Sequence, residues 1–297
     1  MTETTTKTTA EVLDGVDLTG RTVVITGASS GLGLQTARAM QSAGAQIVAA
    51  VRDLDKTRAA IDCEMVALEL GDLRSAATAA ETIADSHERI DVLINNAGVM
   101  APPLTRTAQG YELQLGANHL GHFVFTTGLA ERFAAGTRIV NLSSRGHLYS
   151  GIRWDDPNYD DETSYDKWQA YGQSKTANVL FAVEAERRWG PRGVHSFAVH
   201  PGVVVTELAR HMTRDDYSGR LANLDVTDVD HGAATTVWAA TSTDLDGRGG
   251  LYLEDCRIAD PFAEGVVGGY APWAVDPEQA VRLWDWSQRQ ADLNLGD

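Results

Sequence analysis

Cysteine is scarce in this chain: Cys63 and Cys256 are the only two. A disulfide framework is therefore excluded, and the two thiols suit a reducing cytosol as small core hydrophobes. Basic charge is also in deficit, with 25 Lys and Arg against 41 Asp and Glu and a formal net charge of −16. Nucleic acid and anionic membrane surfaces need clustered Lys and Arg, so both are excluded as partners. No apolar run approaches the ~20 residues of a membrane span. The N-terminus lacks the basic-then-apolar pattern of an export signal. The expectation is a cytoplasmic protein with no membrane partner. Residues 1–15 are expected to form a flexible N-terminal tail, and 16–297 a single domain.

What is present is a core, since 43% of residues are hydrophobic, arranged in a repeating rhythm. Apolar runs rich in β-branched residues occur at Thr22–Thr26, Gln46–Val51, Met65–Leu70, Asp91–Ile94, Arg138–Leu142 and Val194–Val199. Helical patterns separate them, at 32–43, 74–87, 108–133 (interrupted near Gly116 and Gly121) and around Tyr171. Short strands alternating with helices imply βαβ units. Right-handed crossovers then give an α/β fold: one doubly wound Rossmann-type domain, with a parallel sheet of about seven strands and helices on both faces. A final helix is expected at about 277–293. Its Leu283 and Trp286 form an apolar stripe that could pack on the sheet or on another subunit, so a homo-oligomer stays open.

The first strand runs into Thr26-Gly27-Ala28-Ser29-Ser30-Gly31-Leu32-Gly33. Glycines there let backbone N–H groups approach a pyrophosphate, and the helix that follows offers its positive N-terminal end. The spacing is G-x-x-x-G-x-G, not the G-x-G-x-x-G of the standard dinucleotide fingerprint. Arg52 follows the second strand. An acid at that place bonds a ribose 2′-hydroxyl, whereas an Arg accommodates a 2′-phosphate. The expected cofactor is therefore NADP(H), with NAD(H) as the alternative; Arg52 could instead pair with neighbouring Asp53.

Tyr171 and Lys175 stand four residues apart, one turn apart on a helix. A cation held about 4 Å from a phenol at an effective dielectric of about 20 is worth roughly 4 kcal/mol, or about 3 pKa units. Such a shift would bring the phenol near neutrality, where general acid/base catalysis works best. Taken alone, the pair is also compatible with two surface residues on a helix.

Taken together, Thr26–Gly33, Asn95-Asn96-Ala97-Gly98, Asn118, Ser143-Ser144, Tyr171-xxx-Lys175 and Pro201-Gly202 resemble the short-chain dehydrogenase/reductase superfamily, in order and over about residues 18–255. Asn118-His119-Leu120-Gly121-His122-Phe123 and the long gap from Ser144 to Tyr171 look like its retinol-dehydrogenase-like branch. The resemblance implies an oxidoreductase that interconverts an alcohol with its ketone or aldehyde by hydride transfer. It implies Tyr171 as general acid/base, Lys175 lowering the Tyr171 pKa, Ser144 donating to the substrate oxygen, and Asn118 interrupting its helix to hold a proton-relay water. Cofactor contacts are implied at Gly27, Ser29, Ser30, Gly31, Leu32, Gly33, Arg52, Asp72, Leu73, Asn96, Ala97, Gly98, Pro201, Gly202, Val204 and Thr206, besides Tyr171 and Lys175. The other reading is a catalytically silent NADP(H)-binding sensor or scaffold.

The substrate side is expected from 100–105, 146–154 and a lid at about 207–230 that includes Leu208, Met212, Tyr217 and Leu221. Met100, Leu148, Tyr149 and Trp154 suggest an apolar or aromatic carbonyl or alcohol substrate. His119 and His122 lack a third ligand at metal spacing and read as core or capping residues. No metal is expected. His147 and His200 lie near the expected site without a role. Six carboxylates between Asp155 and Asp166 read as a solvated loop.

Overall fold

Every residue of β1 (Thr22–Thr26) is buried, as a strand covered on both faces must be, and its β-branched side chains suit a packed, pleated surface. The computed structural model describes residues 7–212, Asp216 and residues 226–296. The other strands are β2 (Gln46–Val51), β3 (Glu64–Ala67), β4 (Ile90–Asn95), β5 (Phe133–Leu142), β6 (His195–His200), β7 (Val203–Val204), β8 (Val226–Thr227), β9 (Leu251–Glu254) and β10 (Arg257–Ile258). Eight of them form one sheet in the order β10-β9-β6-β5-β4-β1-β2-β3. All its pairings are parallel except the short β9–β10 edge. That antiparallel edge is the strand beyond the seven expected. β7 and β8 form a separate parallel pair.

Helices cover both faces. On one side, α2 (Gly31–Ser42) and α8 (Val229–Thr241) bring Ala37, Met40, Val237 and Trp238 onto Val23, Ile25 and Val199. On the other lie α4 (Leu73–Ser86), α6 (His122–Gly128), α7 (Lys167–Trp189) and α9 (Pro277–Leu295). There Phe123, Phe181, Trp189 and Trp284 pack edge to face or stacked, at centroid separations of 5.0 Å to 5.9 Å. The apolar stripe of α9 is thus used within the chain: Leu283 and Trp284 are buried, and Trp286 meets Tyr111 edge-on.

Three expectations change. Residues 9–12 form a helix, α1 (Thr9–Val12), closed by a capping box from Thr8 and Glu11, so the described end of the supposed tail is ordered. Thr9 is buried and hydrogen-bonds Asp230. The helix expected over 108–133 is shorter and segmented: α5 (Leu113–Leu115), a π-helical turn Gly116–Gly121, then α6. Strand β5 already begins at Phe133, which pairs with Ile90 before a register shift. β3 stops at Ala67, and Leu68 to Leu70 continue past the sheet edge into the cleft described next.

Candidate active site

The strand order reverses between β1 and β4, and ligands of open α/β sheets bind at such a point. A cleft of about 300 Å³ opens there, lined by the glycine turn, Arg52, Lys56, Glu69, Asn96 to Val99 and Thr206 to Leu208. A larger groove of about 570 Å³ lies between α4, α6 and α9, away from any of the expected chemistry. The turn needs its glycines. A Cβ on Gly33 would stand 2.4 Å from both Asn96 Nδ2 and the Gly27 carbonyl, and Gly31 holds a φ of +55°. Thr26 Oγ1 accepts the amides of Asn96 and Ala97 at 2.9 and 3.0 Å, which pins this turn to the end of β4. Ser30 sits at the N-cap of α2, yet its hydroxyl does not cap the helix. The first-turn amides of α2 are therefore open to an anion, and this backbone cradle fits a dinucleotide.

Of the residues expected around the cofactor, Gly27, Ser29, Ser30, Gly31, Leu32, Gly33, Arg52, Asn96, Ala97, Gly98 and Thr206 line the cleft. Asp72 does not. Its carboxylate caps α4 at the Arg74 amide and accepts from Gln109 Nε2 at 2.7 Å, which holds it below the usual carboxylate range. Leu73 is buried in the core instead. Asp53, Glu69 and Glu207 are the acids that line the cleft, and the Glu69 carboxylate pairs with Arg52 at 3.8 Å. Asp53 is not the partner of Arg52, because it caps α3 (Leu54–Ala60) at the Lys56 amide. Pro201, Gly202 and Val204 lie behind the lining, where Val204 Cγ2 crowds Gly232 of α8. Sequence reasoning missed Glu69, Lys56 and Glu207. Lys56 could have been found, because it lies four residues beyond Arg52, in the first turn of α3.

Ser144, Tyr171, Lys175 and Asn118 come together beside this cleft. Ser144 Oγ accepts the Gly146 amide at 3.0 Å, and Gly146 sets it beside the Tyr171 ring: a Cβ there would stand 2.7 Å from Tyr171 Cε1 and 3.4 Å from Ser144 Oγ. Ser143 is committed elsewhere, donating to the Lys175 carbonyl at 2.9 Å. Asn118 lies in the π-turn, a helix irregularity frequent at functional sites. Its side chain clamps Val99 from both sides and accompanies Ser174. Gly98 joins the group to the cleft: a Cβ there would lie 3.0 Å from Asn118 Oδ1 and 3.7 Å from Lys175 Nζ.

Comparison with known proteins bears on the family. A family model described as enoyl-(acyl carrier protein) reductase matches residues 27–227. A short-chain dehydrogenase/reductase of Penicillium roqueforti is 37% identical over 290 residues, covering 91% of this chain and 85% of its own. Human retinol dehydrogenase 12 is 38% identical over 284 residues, with 92% and 86% covered. The chain belongs to the short-chain dehydrogenase/reductase family. Its likeness to retinol dehydrogenase 12 agrees with the retinol-dehydrogenase-like branch. An uncharacterised protein of Mycobacterium paratuberculosis shares the fold at a TM-score of 0.76 and 35% identity, over 96% of this chain and 97% of its own.

One expectation about this family's Tyr–Lys pair is corrected. Burial pushes the Tyr171 phenol up to about 12, with the neighbouring Ser144 hydroxyl acting the other way. Burial also takes the Lys175 ammonium down to about 8. The cation does not relieve the phenol because Lys175 Nζ donates to the Leu142 carbonyl at 2.9 Å and stands 5.7 Å from the Tyr171 ring centre. Desolvation of both groups outweighs their proximity.

The histidines are structural. Thr26 Oγ1 spends both lone pairs on amides, so its proton goes to His122 Nε2 at 2.9 Å. His122 Nδ1 then carries the ring proton and donates to the Asn118 carbonyl at 3.0 Å. His119 bonds Ser287. His147 spans Ser144 O and the Ala271 amide. Among the described residues no group of acids, thiols and imidazoles could hold a metal, and no helix is long and apolar enough to cross a membrane. Cys63 and Cys256 are unbonded and half-buried. On the substrate side, Met100 and Met212 pack with Trp168 on Tyr171. Trp154, expected in the pocket, instead bonds Gln279 and packs between α7 and α9. Within the supposed lid, residues 207–211 form a 3-10 turn, while Tyr217 and Leu221 lie outside the described residues. The acidic stretch is more ordered than a solvated loop: Asp166 caps α7, and Arg106 pairs with Asp160 and Glu162.

Proposed function

We propose that the protein is a cytoplasmic NADP(H)-dependent oxidoreductase that interconverts an alcohol with its ketone or aldehyde. The observation that carries this reading is the gathering of Ser144 and Tyr171 against Gly146, with Lys175 and Asn118 against Gly98 in the cleft wall. The relatives named as dehydrogenases and reductases support it, as do fold neighbours solved with NADP, such as a Burkholderia cenocepacia dehydrogenase (22% identical, TM-score 0.63). The bound dinucleotide supplies or accepts hydride. The glycine turn and the open amides of α2 hold its pyrophosphate, and Arg52 lies where a 2′-phosphate is read.

Ser144 orients the carbonyl oxygen and stabilises charge as it develops there. Tyr171, neutral at physiological pH, donates its proton to the nascent alkoxide, with the Lys175 ammonium 5.7 Å from its ring centre. Met100, Met212 and Trp168 give the reacting carbon an apolar surround. The test is purified protein incubated with NADPH deuterated at the transferring position and a panel of apolar ketones and aldehydes. Deuterium on the product carbinol carbon is the expected result. Tight NADPH binding with no label transferred across the panel would instead favour the silent sensor.

A further inference from the structure

The cleft contains an anion of the protein's own. Glu207 follows Thr206, whose side chain a Cβ on Gly31 would touch at 3.3 Å. The Glu207 carboxylate receives Lys56 Nζ at 2.7 and 2.8 Å and Ser30 Oγ at 3.1 Å. It therefore bridges the turn after β6, the phosphate turn after β1 and helix α3 in one contact. Ser30 is diverted to it from capping α2, although Ser is among the best capping residues and Thr8, Asp53, Asp72, Asp166, Asp228 and Asp276 all cap their helices. Both members of the ion pair are substantially exposed, at 41% and 62%, so the pair contributes little to folding.

An ammonium and a hydroxyl beside open helix amides form the donor set that a phosphate takes. The neighbouring cation, Arg52, is itself faced by Glu69. Arg52 and Lys56 thus each already have a carboxylate against them. We propose that Lys56 and Glu207 set how strongly the cleft selects a 2′-phosphorylated dinucleotide, the 2′-phosphate taking Lys56 away from Glu207. The inference rests on the dinucleotide-binding reading above. The phosphate carries up to two charges against the carboxylate's one, so it wins the exchange and the lost ion pair lowers its net gain. A dinucleotide with a free 2′-hydroxyl has no group to make the exchange and leaves the pair in place.

The test is to titrate wild type, Glu207→Gln, Lys56→Gln and the double variant with NADPH and with NADH, read by tryptophan fluorescence and repeated at high salt. Glu207→Gln is expected to tighten NADPH three- to tenfold and leave NADH within twofold. Lys56→Gln should weaken NADPH about tenfold, again sparing NADH, and the double variant should lose the gain of the first. High salt should shrink all NADPH differences. Equal changes for NADPH and NADH would place the competition at the shared pyrophosphate and overturn the proposal, and so would no change in either. Failure of the wild type to bind either dinucleotide would instead sink the cofactor reading itself.

Discussion

The two halves of the cleft are built from different material. The half formed by β1, β2 and β4 is made of backbone: a glycine at +55°, a Gly33 with no room for a methyl group, and uncapped helix amides. The half beyond β5, β6 and β9 is made of side chains brought together across long chain separations. Examples are His147 with the Ala271 amide, and Tyr171, whose ring lies against Gly146 next to Ser144. In the first half an added atom does the damage; in the second, a removed or recharged one does. Two buried imidazoles, His147 and His200, lie on the second side by Ser144 and Arg145, while His119 and His122 are buried in and after the π-turn, where His122 meets Thr26 of the first.

Acid should act first through these rings. Burial pushes His119 and His200 down to about 3, and His122 and His147 down to about 4. In the unfolded chain such rings take a proton near 6.5. The unfolded state therefore binds more protons between those values, and stability is lost as pH falls from about 6.5 toward 4, at roughly 3 kcal/mol per ring. Glu112 and Glu254, raised by burial, titrate in the opposite sense and offset part of the loss. Denaturant titrations at pH 7.5, 5.5 and 4.5 should show a steep fall, reduced in His200→Asn. A flat profile would mean the rings are not buried as described.

A smaller effect separates the halves by steric means. Gly33→Ala should lose about 1–3 kcal/mol of stability by overpacking and lose dinucleotide binding, while Ser144→Ala keeps both and loses turnover about a hundredfold. Thermal melts with and without NADPH measure the contrast. An unchanged melting temperature in Gly33→Ala would break it. Smaller still, Lys175→Met should raise stability by about 1–2 kcal/mol, because an ammonium depressed to about 8 is costly to keep charged at pH 7. Turnover should collapse in the same variant, so a fall in melting temperature would contradict the burial argument.

The division also explains what could be read in advance. Strands, helices and the glycine turn declare themselves through local periodicity and through glycines, whose need is local. The π-turn was foreshadowed by Gly116 and Gly121, because a Cβ on Gly121 would stand 2.3 Å from the Leu70 carbonyl. Asp72 and Glu69 are close in sequence, and only the cap on α4 tells the acid outside the cleft lining from the one within it. Trp154 was expected in the pocket because an aromatic residue looks the same from sequence whether it lines a cavity or fills a core. The raised Tyr171 phenol was missed because spacing fixes the distance to Lys175 but not the loss of water around both groups. Glu207 was invisible because its partners Ser30 and Lys56 lie 177 and 151 residues away.

The most direct measurement is a comparison of wild type with Tyr171→Phe, in which kcat for carbonyl reduction and the NADPH dissociation constant are determined on the same preparations. A proton donor poised beside the cleft predicts a fall in kcat of about a thousandfold or more, with the dissociation constant within about threefold. Comparable turnover in the two proteins would contradict it.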